Sequence, residues 1–319
     1  KMQNIVNICN KENALNYINP IGGTKLYDKE EFKKQNIKLN FIEGTSSLSI
    51  IDECLNNTKE EVKQKLTNYK LISNIDKEEI DLIIVSTSSP EQVAPPTACI
   101  LHNKLKLKNN IPAFDLNAVC SGFVYALTVG ASFVSSGNYK NILIVSTEAY
   151  SKYTDWSDRH SVFFGDGAGA ALLSKSDNDN MFAELAADGS GTGMTGFVMP
   201  LDGVFEMKGK EVWDQATKVL PTSIKKVLSN SNTNLTDIKM LIPHQPSINI
   251  LKLIAKEVGL PMSKVKTVMD KYANIASSSI PIALEDAIKN KEVNSGDQLL
   301  LTGIGSGWSW GSLIIKYKK

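Results

Sequence analysis

IDLIIVSTSSP at residues 80–90 and IKMLIPHQP at 238–246 are two versions of one pattern: a branched apolar run leading into a Pro-punctuated loop. Runs of this kind read as strands buried on both faces. Working outward, Ile84 is followed 36 positions later by Cys120 and Ile242 is followed 32 positions later by Asn274. Each of those residues lies in a strand-turn-helix junction, FDLNAVCSGFVYAL (114–127) and TVMDKYANIASSSIPIAL (267–284). A further 25 positions reach Val145 and a further 27 reach Leu301, both in the next apolar run, NILIVST from Asn141 and QLLLTGI from Gln298. Between the runs, TACILHNKLKL after Pro96 and GFVYALTVGASFVSSG (122–137) carry apolar residues at helical spacing, and Gly137 is a good stop. Alternating strand and helix means α/β, and the parallel spacing predicts a duplicated α/β unit with its break at the polar SKSDNDN, 174–180. Cys120, His244 and Asn274 would then all sit in loops that follow strands, where open α/β sheets gather their sites.

Composition narrows the field. With 319 residues, 42% apolar and 22% charged, the chain can bury a large core. The 35 Lys and Arg against 34 Asp and Glu give no global field for nucleic acid or an anionic membrane. No apolar run approaches the roughly 20 residues of a spanning helix, and KMQNIVNICNKENA has no signal-peptide stretch, so a cytoplasmic protein is expected. Cysteines at 9, 54, 99 and 120 form no CxxC pair, so neither disulfides nor a metal site is expected.

Cys120 precedes small residues that open a helix, whose amides and dipole would lower its thiol pKa; the plainer reading is a packed thiol. His244, in PHQPS, leaves an apolar strand for a Pro-bracketed loop, as either a reacting group or a hydrogen-bonded loop histidine. Asn274, in YANIASSS, is flanked by small residues that would admit a ligand, and Asn is also a good helix cap. GIGSGWSWG (303–311) offers backbone amides to a substrate carbonyl, or is a Gly-rich turn between two strands. GDGAGAALL (165–173) has neither Rossmann nor Walker spacing and reads as close backbone packing.

FDLNAVCSGFVYAL, FFGDGAGAALL, PHQPS, YANIASSS and GIGSGWSWG, in this order, resemble the motifs of β-ketoacyl-acyl carrier protein synthase III of the thiolase superfamily. The resemblance runs from about Ile80 to the C-terminus. It implies a thiolase fold, five-layered α-β-α-β-α, with halves 1–175 and 176–319, in a homodimer. It implies no permanently bound cofactor, and acyl-coenzyme A or acyl-carrier-protein thioesters as substrates. Cys120 would take the acyl group, and His244 and Asn274 would bind the malonyl thioester carbonyl as carbon dioxide leaves. The amides of Cys120 and Ser306 would hold the oxyanion, with Gly307 beside them. Phe164 and Gly209 would contact substrate, and Arg159 and Trp213 would lie near the pantetheine tunnel or on the surface. The carrier-protein docking face would be thin, with Asn249 where a basic residue is common and Lys252 and Lys256 nearby, a pair that otherwise reads as a solvated face.

The chain also departs from the family pattern. EFKKQNIKLNFIEGTSS (31–47) lacks the Trp and basic stretch that grip coenzyme A, which suggests a carrier-bound or unusual donor. Ala94 replaces the bulky aromatic that closes the acyl pocket, so a wider pocket is expected. The C-terminal loop has no second cysteine, unlike a degradative thiolase, and Cys120 is retained, unlike a non-catalytic chain-length subunit. The rival readings are acyl transfer from Cys120 to an oxygen or nitrogen nucleophile, and a scaffold subunit without turnover.

Overall fold

The computed structural model describes residues 16–20, 38–42, 75–175, 181–191, 196–200 and 202–318. The chain divides into two compact units, Lys1–Leu48 and Ser49–Lys319. In the first, β1 (Asn16–Pro20) and β2 (Lys38–Ile42) pair in parallel, with Asn16 opposite Lys38.

Two four-stranded sheets organise the second unit. The first contains β3 (Leu82–Ser86), β4 (Ala113–Leu116), β5 (Asn141–Ala149) and β6 (Asp166–Ser174) in the order β4-β3-β5-β6, with only β6 antiparallel. Next along the chain come β7 (Phe182–Ala187) and the short antiparallel pair β8 (Phe197–Val198) and β9 (Glu206–Met207). The second sheet joins β10 (Ile238–Pro243), β11 (Gln298–Gly305) and β12 (Ser309–Lys316) to β7, in the order β10-β11-β12-β7. The two sheets repeat one scheme. Ile84 lies opposite Ile144 as Ile242 lies opposite Leu301, both in parallel pairs, and an antiparallel strand follows each. A parallel bridge from Leu241 to Val265 takes the place that β4 holds beside β3. The division expected between residues 175 and 176 falls inside the second unit, at the connection from β6 to β7.

The helices are α1 (Thr97–Leu105), α2 (Gly122–Ser135), α3 (Gly209–Asn230), α4 (Ile248–Val258), α5 (Met269–Tyr272) and α6 (Ser279–Lys289). α2 stops two residues short of Gly137, whose φ of 77° suits glycine. α1 covers the outer face of the first sheet, α2 and α6 lie between the sheets, and α3 and α4 cover the far side of the second. These are the five layers of the thiolase fold.

The layering explains why the strands are apolar throughout. Leu82 and Ile84 point into the central core, while Ile83 and Val85 point outward to Ala98 and Leu101 of α1. Met240, Ile242, Leu299 and Leu301 likewise point inward, and Leu241 and Leu300 meet Leu220 and Ile224 of α3 and Ile250 and Ile254 of α4. Each such side chain contributes about 1.5–3 kcal/mol on burial, so both faces reward apolar residues. The glycines of the 165–173 stretch serve the packing that their spacing predicts. A β-carbon at Gly169 would stand 2.7 Å from Pro281 Cβ, and one at Gly165 would stand 2.6 Å from the Tyr272 carbonyl oxygen.

Candidate active site

Cys120 sits in a 3-10 turn, Val119–Ser121, between β4 and α2. The turn is fixed on both sides: Asn117 Oδ1 accepts from the Val119 amide at 3.0 Å, and Ser121 Oγ donates to the Ala118 carbonyl at 2.7 Å. Val119 takes φ 48°, a conformation that a β-branched residue adopts only where its surroundings enforce it. Those surroundings are β11. A β-carbon at Gly305 would lie 2.5 Å from the Ala118 carbonyl oxygen and 3.0 Å from the Cys120 amide nitrogen, so only glycine lets the strand come this close.

His244 follows β10, and its amide continues the ladder by donating to the Thr302 carbonyl at 2.8 Å. The side chain of Gln245 locks the loop, donating to the carbonyls of Pro243 (2.9 Å) and Lys266 (3.2 Å) and accepting from the Val268 amide (3.0 Å). Gly303 links this loop to the nucleophile turn. A β-carbon there would meet the Cys120 carbonyl oxygen at 3.0 Å and His244 Cβ at 3.6 Å. His244 is 3% exposed, and burial pushes its pKa down to about 3, so the imidazole is neutral at physiological pH. Its Nδ1 is buried without a hydrogen-bond partner among the described residues.

Asn274 lies between α5 and α6 and is held by its backbone, which donates to the Phe163 carbonyl (2.9 Å) and accepts from the Gly165 amide (3.0 Å). Its Oδ1 accepts from the Ala276 amide at 2.9 Å. This is a local turn rather than the helix cap expected from the sequence, since Ser278 precedes α6 as its cap residue, and it leaves Nδ2 without a partner among the described residues. The turn that follows, Ala276–Ser278, packs against the Cys120 turn. The three loops bearing Cys120, His244 and Asn274 therefore converge where β4, β10 and the chain after α5 end.

The electrostatics differ from the sequence expectation. The start of α2 was expected to lower the Cys120 thiol pKa; instead, burial and the Glu148 carboxylate push it well above the ordinary thiol range, against a smaller lowering by a backbone hydrogen bond. Glu148, at the end of β5, is 1% exposed, and burial pushes its carboxyl up to about 7. Sequence reading passed over this residue. The available signal was a single charged residue near the end of a strand that opens with a branched apolar run.

The remaining expected residues are placed as follows. Phe164 joins an aromatic cluster with Tyr150 (5.2 Å between ring centroids), Phe197 (5.4 Å) and Phe205 (4.8 Å). Tyr150 is fully buried and feels the charges of Glu148 and Cys120, which puts the cluster beside the nucleophile. Ser306 Oγ donates to the Phe197 carbonyl, and Gly307 joins Trp308 through a cis peptide bond at the β11–β12 turn. Gly209 and Trp213 lie on the exposed side of the first turns of α3. Arg159 begins a 3-10 turn, and its side chain lies outside the described residues. Ala94 is exposed and precedes a cis proline, Pro95. Asn249, Lys252 and Lys256 share the exposed face of α4. Of 31–47, only β2 is described. Among the described residues, no helix is long and apolar enough to cross a membrane.

Comparison with known proteins decides the family. The model of 3-oxoacyl-[acyl-carrier-protein] synthase III matches residues 114–189 and that of its C-terminal part matches 228–317. The β-ketoacyl-[acyl-carrier-protein] synthase III of Clostridium acetobutylicum is 39% identical over 261 residues, covering 77% of this chain and 80% of that protein. This chain belongs to the β-ketoacyl-acyl carrier protein synthase III family. The crystal structure of the synthase III from Aquifex aeolicus superposes with a TM-score of 0.73 at 35% identity, covering 81% of this chain and 82% of that one. The priming β-ketosynthase of the R1128 polyketide pathway superposes at 0.72 and 27% identity, covering 87% and 83%. Residues 1–64 instead match the WbqC-like protein family, so the stretch where synthase III motifs were missed is similar to a different family.

Proposed function

We propose that this chain is a condensing acyltransferase that loads an acyl group from a thioester onto Cys120 and joins it to a malonyl thioester with loss of carbon dioxide. The observation that carries this reading is the convergence of the loops bearing Cys120, a neutral His244 and Asn274, whose Nδ2 has no partner among the described residues. Membership of the synthase III family supports it.

In the first step Cys120 Sγ attacks the donor carbonyl, the bond from that carbon to the donor sulfur breaks, and the thiol proton leaves with the donor. A thiol held protonated gives up its proton as it attacks, and that proton passes to the departing donor sulfur. The tetrahedral oxyanion is received by the amides of Cys120 and Ser306. In the second step the malonyl carbon-carboxylate bond breaks and carbon dioxide leaves. The electron pair moves onto the enolate, whose oxygen is met by donors from His244 and Asn274 Nδ2. With Nδ1 sealed in the protein, His244 carries its proton on Nε2 for this role. The enolate carbon then attacks the acyl-cysteine carbonyl, and the thiolate departs and is reprotonated.

The proposal extends to two related halves, 1–175 and 176–319, to a cytoplasmic homodimer, and to a carrier protein docking on the Lys252 and Lys256 face of α4. Phe164 and its aromatic neighbours would line the acyl pocket, and Arg159, Gly209 and Trp213 would flank the pantetheine arm. Intact-protein mass spectrometry with acyl-coenzyme A and acyl-carrier donors, beside Cys120→Ala, tests the reading. An adduct on the native protein alone, discharged by a malonyl thioester with release of carbon dioxide, supports it. Discharge only by an alcohol or amine, or no adduct with any donor, overturns it.

A further inference from the structure

We propose that Glu148 is a positioning residue, a buried carboxylate that accepts hydrogen bonds from two active-site loops and fixes both against the end of β5. The inference rests on the roles proposed above for Cys120 and Asn274.

One loop is the path from β3 toward Ala94. Glu148 Oε2 accepts from the Ser88 amide (3.1 Å), Ser88 Oγ (2.9 Å) and Ser89 Oγ (2.7 Å), and Oε1 accepts from the Ser88 amide at 3.3 Å. Ser89 Oγ in turn accepts from the Ala149 amide at 2.7 Å, and Ser88 Oγ meets the Tyr150 hydroxyl at 2.9 Å. The other loop is that of Asn274. Glu148 Oε1 accepts from Ser277 Oγ at 2.5 Å, and Ser277 Oγ accepts from Ser146 Oγ at 2.7 Å.

The connection to chemistry runs through Ala276. This residue sits at φ 43°, outside the comfortable range for alanine, and its amide is the donor that orients the Asn274 side chain. Ser277, anchored by Glu148, holds the next link of the chain. Released from that anchor, Ala276 relaxes toward an ordinary φ, its amide turns, and Asn274 Oδ1 loses the partner that keeps Nδ2 directed at the substrate. The composition of the cluster also argues against a merely structural plug. Among the described residues the hydrogen bonds to Glu148 come from amide and serine donors, and a carboxyl group buried without a cation beside it costs more than apolar residues of equal volume.

The experiment compares native protein with Ser277→Ala, Glu148→Gln and Glu148→Ala, each checked for folding by circular dichroism. It measures two rates: acylation of Cys120 by whichever acyl-coenzyme A or acyl-carrier donor of the mass-spectrometry panel loads the native protein, and carbon dioxide release from malonyl-acyl carrier protein. In Ser277→Ala and Glu148→Ala the ratio of release to acylation falls by about tenfold or more, with partial recovery in Glu148→Gln. A ratio equal to native, both rates falling together with the folded fraction, overturns the inference. Native protein that shows neither reaction overturns the parent reading instead. Hydrogen exchange at the Ala276 amide, which needs no substrate, then decides the matter: lost protection confined to residues 274–278 in Ser277→Ala supports the inference, and unchanged protection overturns it.

Discussion

Gly305 of β11 faces the amide of Cys120 so closely that a β-carbon on the glycine would come within 3.0 Å of that nitrogen. The same atom would lie 2.5 Å from the Ala118 carbonyl oxygen, and neither neighbour is a side chain that could swing away. Gly305→Ala therefore displaces the nucleophile turn. The expected cost is about 1–3 kcal/mol of stability, read as a fall in Tm, with loss of Cys120 acylation in the fraction that remains folded. Native acylation in this variant would show that the turn tolerates movement.

His244 makes stability depend on acid. Its folded pKa, about 3, lies below the ordinary 6.5, so between those values the unfolded chain binds the extra proton and stability falls as pH falls. The expected contribution approaches 1.4 kcal/mol per pH unit within that window and vanishes above pH 7. Urea unfolding of native protein and His244→Gln at pH 4.5, 5.5 and 7.5 checks it: the gap between their pH profiles should open only on the acid side.

Glu148 acts in the opposite sense. Its carboxyl is raised from 4.5 to about 7, so the folded state holds the proton more tightly and stability falls as pH rises through that interval. Relative to native, Glu148→Gln should therefore gain Tm steadily from pH 5 to pH 8. Cys120, Tyr150 and Tyr153 are the titratable groups that feel this carboxylate. Removing its charge should lower the apparent pKa of Cys120, measured as the pH dependence of iodoacetamide alkylation. An unmoved alkylation profile would show that Glu148 and Cys120 are uncoupled.

Ala94 follows the Ser88–Ser89 stretch anchored by Glu148, and the family resemblance puts it at the acyl pocket, where a small side chain is expected to leave room. Ala94→Phe should narrow the donor range. Acylation of Cys120 by an eight-carbon acyl donor should drop by about tenfold or more relative to acetyl transfer, in a competition read by intact mass. Equal loss for both donors would place Ala94 away from the acyl chain.

The sequence made the layers legible because its strands are buried on both faces: Leu82 to Val85 and Met240 to Ile242 have no polar side to confuse the reading. Cys120, His244 and Asn274 stood out because reactive or polar types interrupt apolar strands and small-residue turns. Glu148 was illegible for the converse reason. Its partners Ser88, Ser89 and Ser277 lie 60, 59 and 129 positions away, so an acid with a purpose looked like a strand end. The sign of the Cys120 shift was missed with it, since the helix start is local in sequence and the carboxylate is not. The missing coenzyme A grip at 31–47 was visible as a departure, but its source, likeness to another family over residues 1–64, required comparison.

The middle layer has one more consequence. α2 begins two residues after Cys120 and α6 begins five residues after Asn274, and both are sandwiched between two sheets. The reacting groups are thus mounted on a buried middle layer, where opening demands parting a sheet from its helix. Room for a long substrate is therefore expected to come from exposed stretches such as 92–95 and 202–204, while the floor beneath the thiol stays in place.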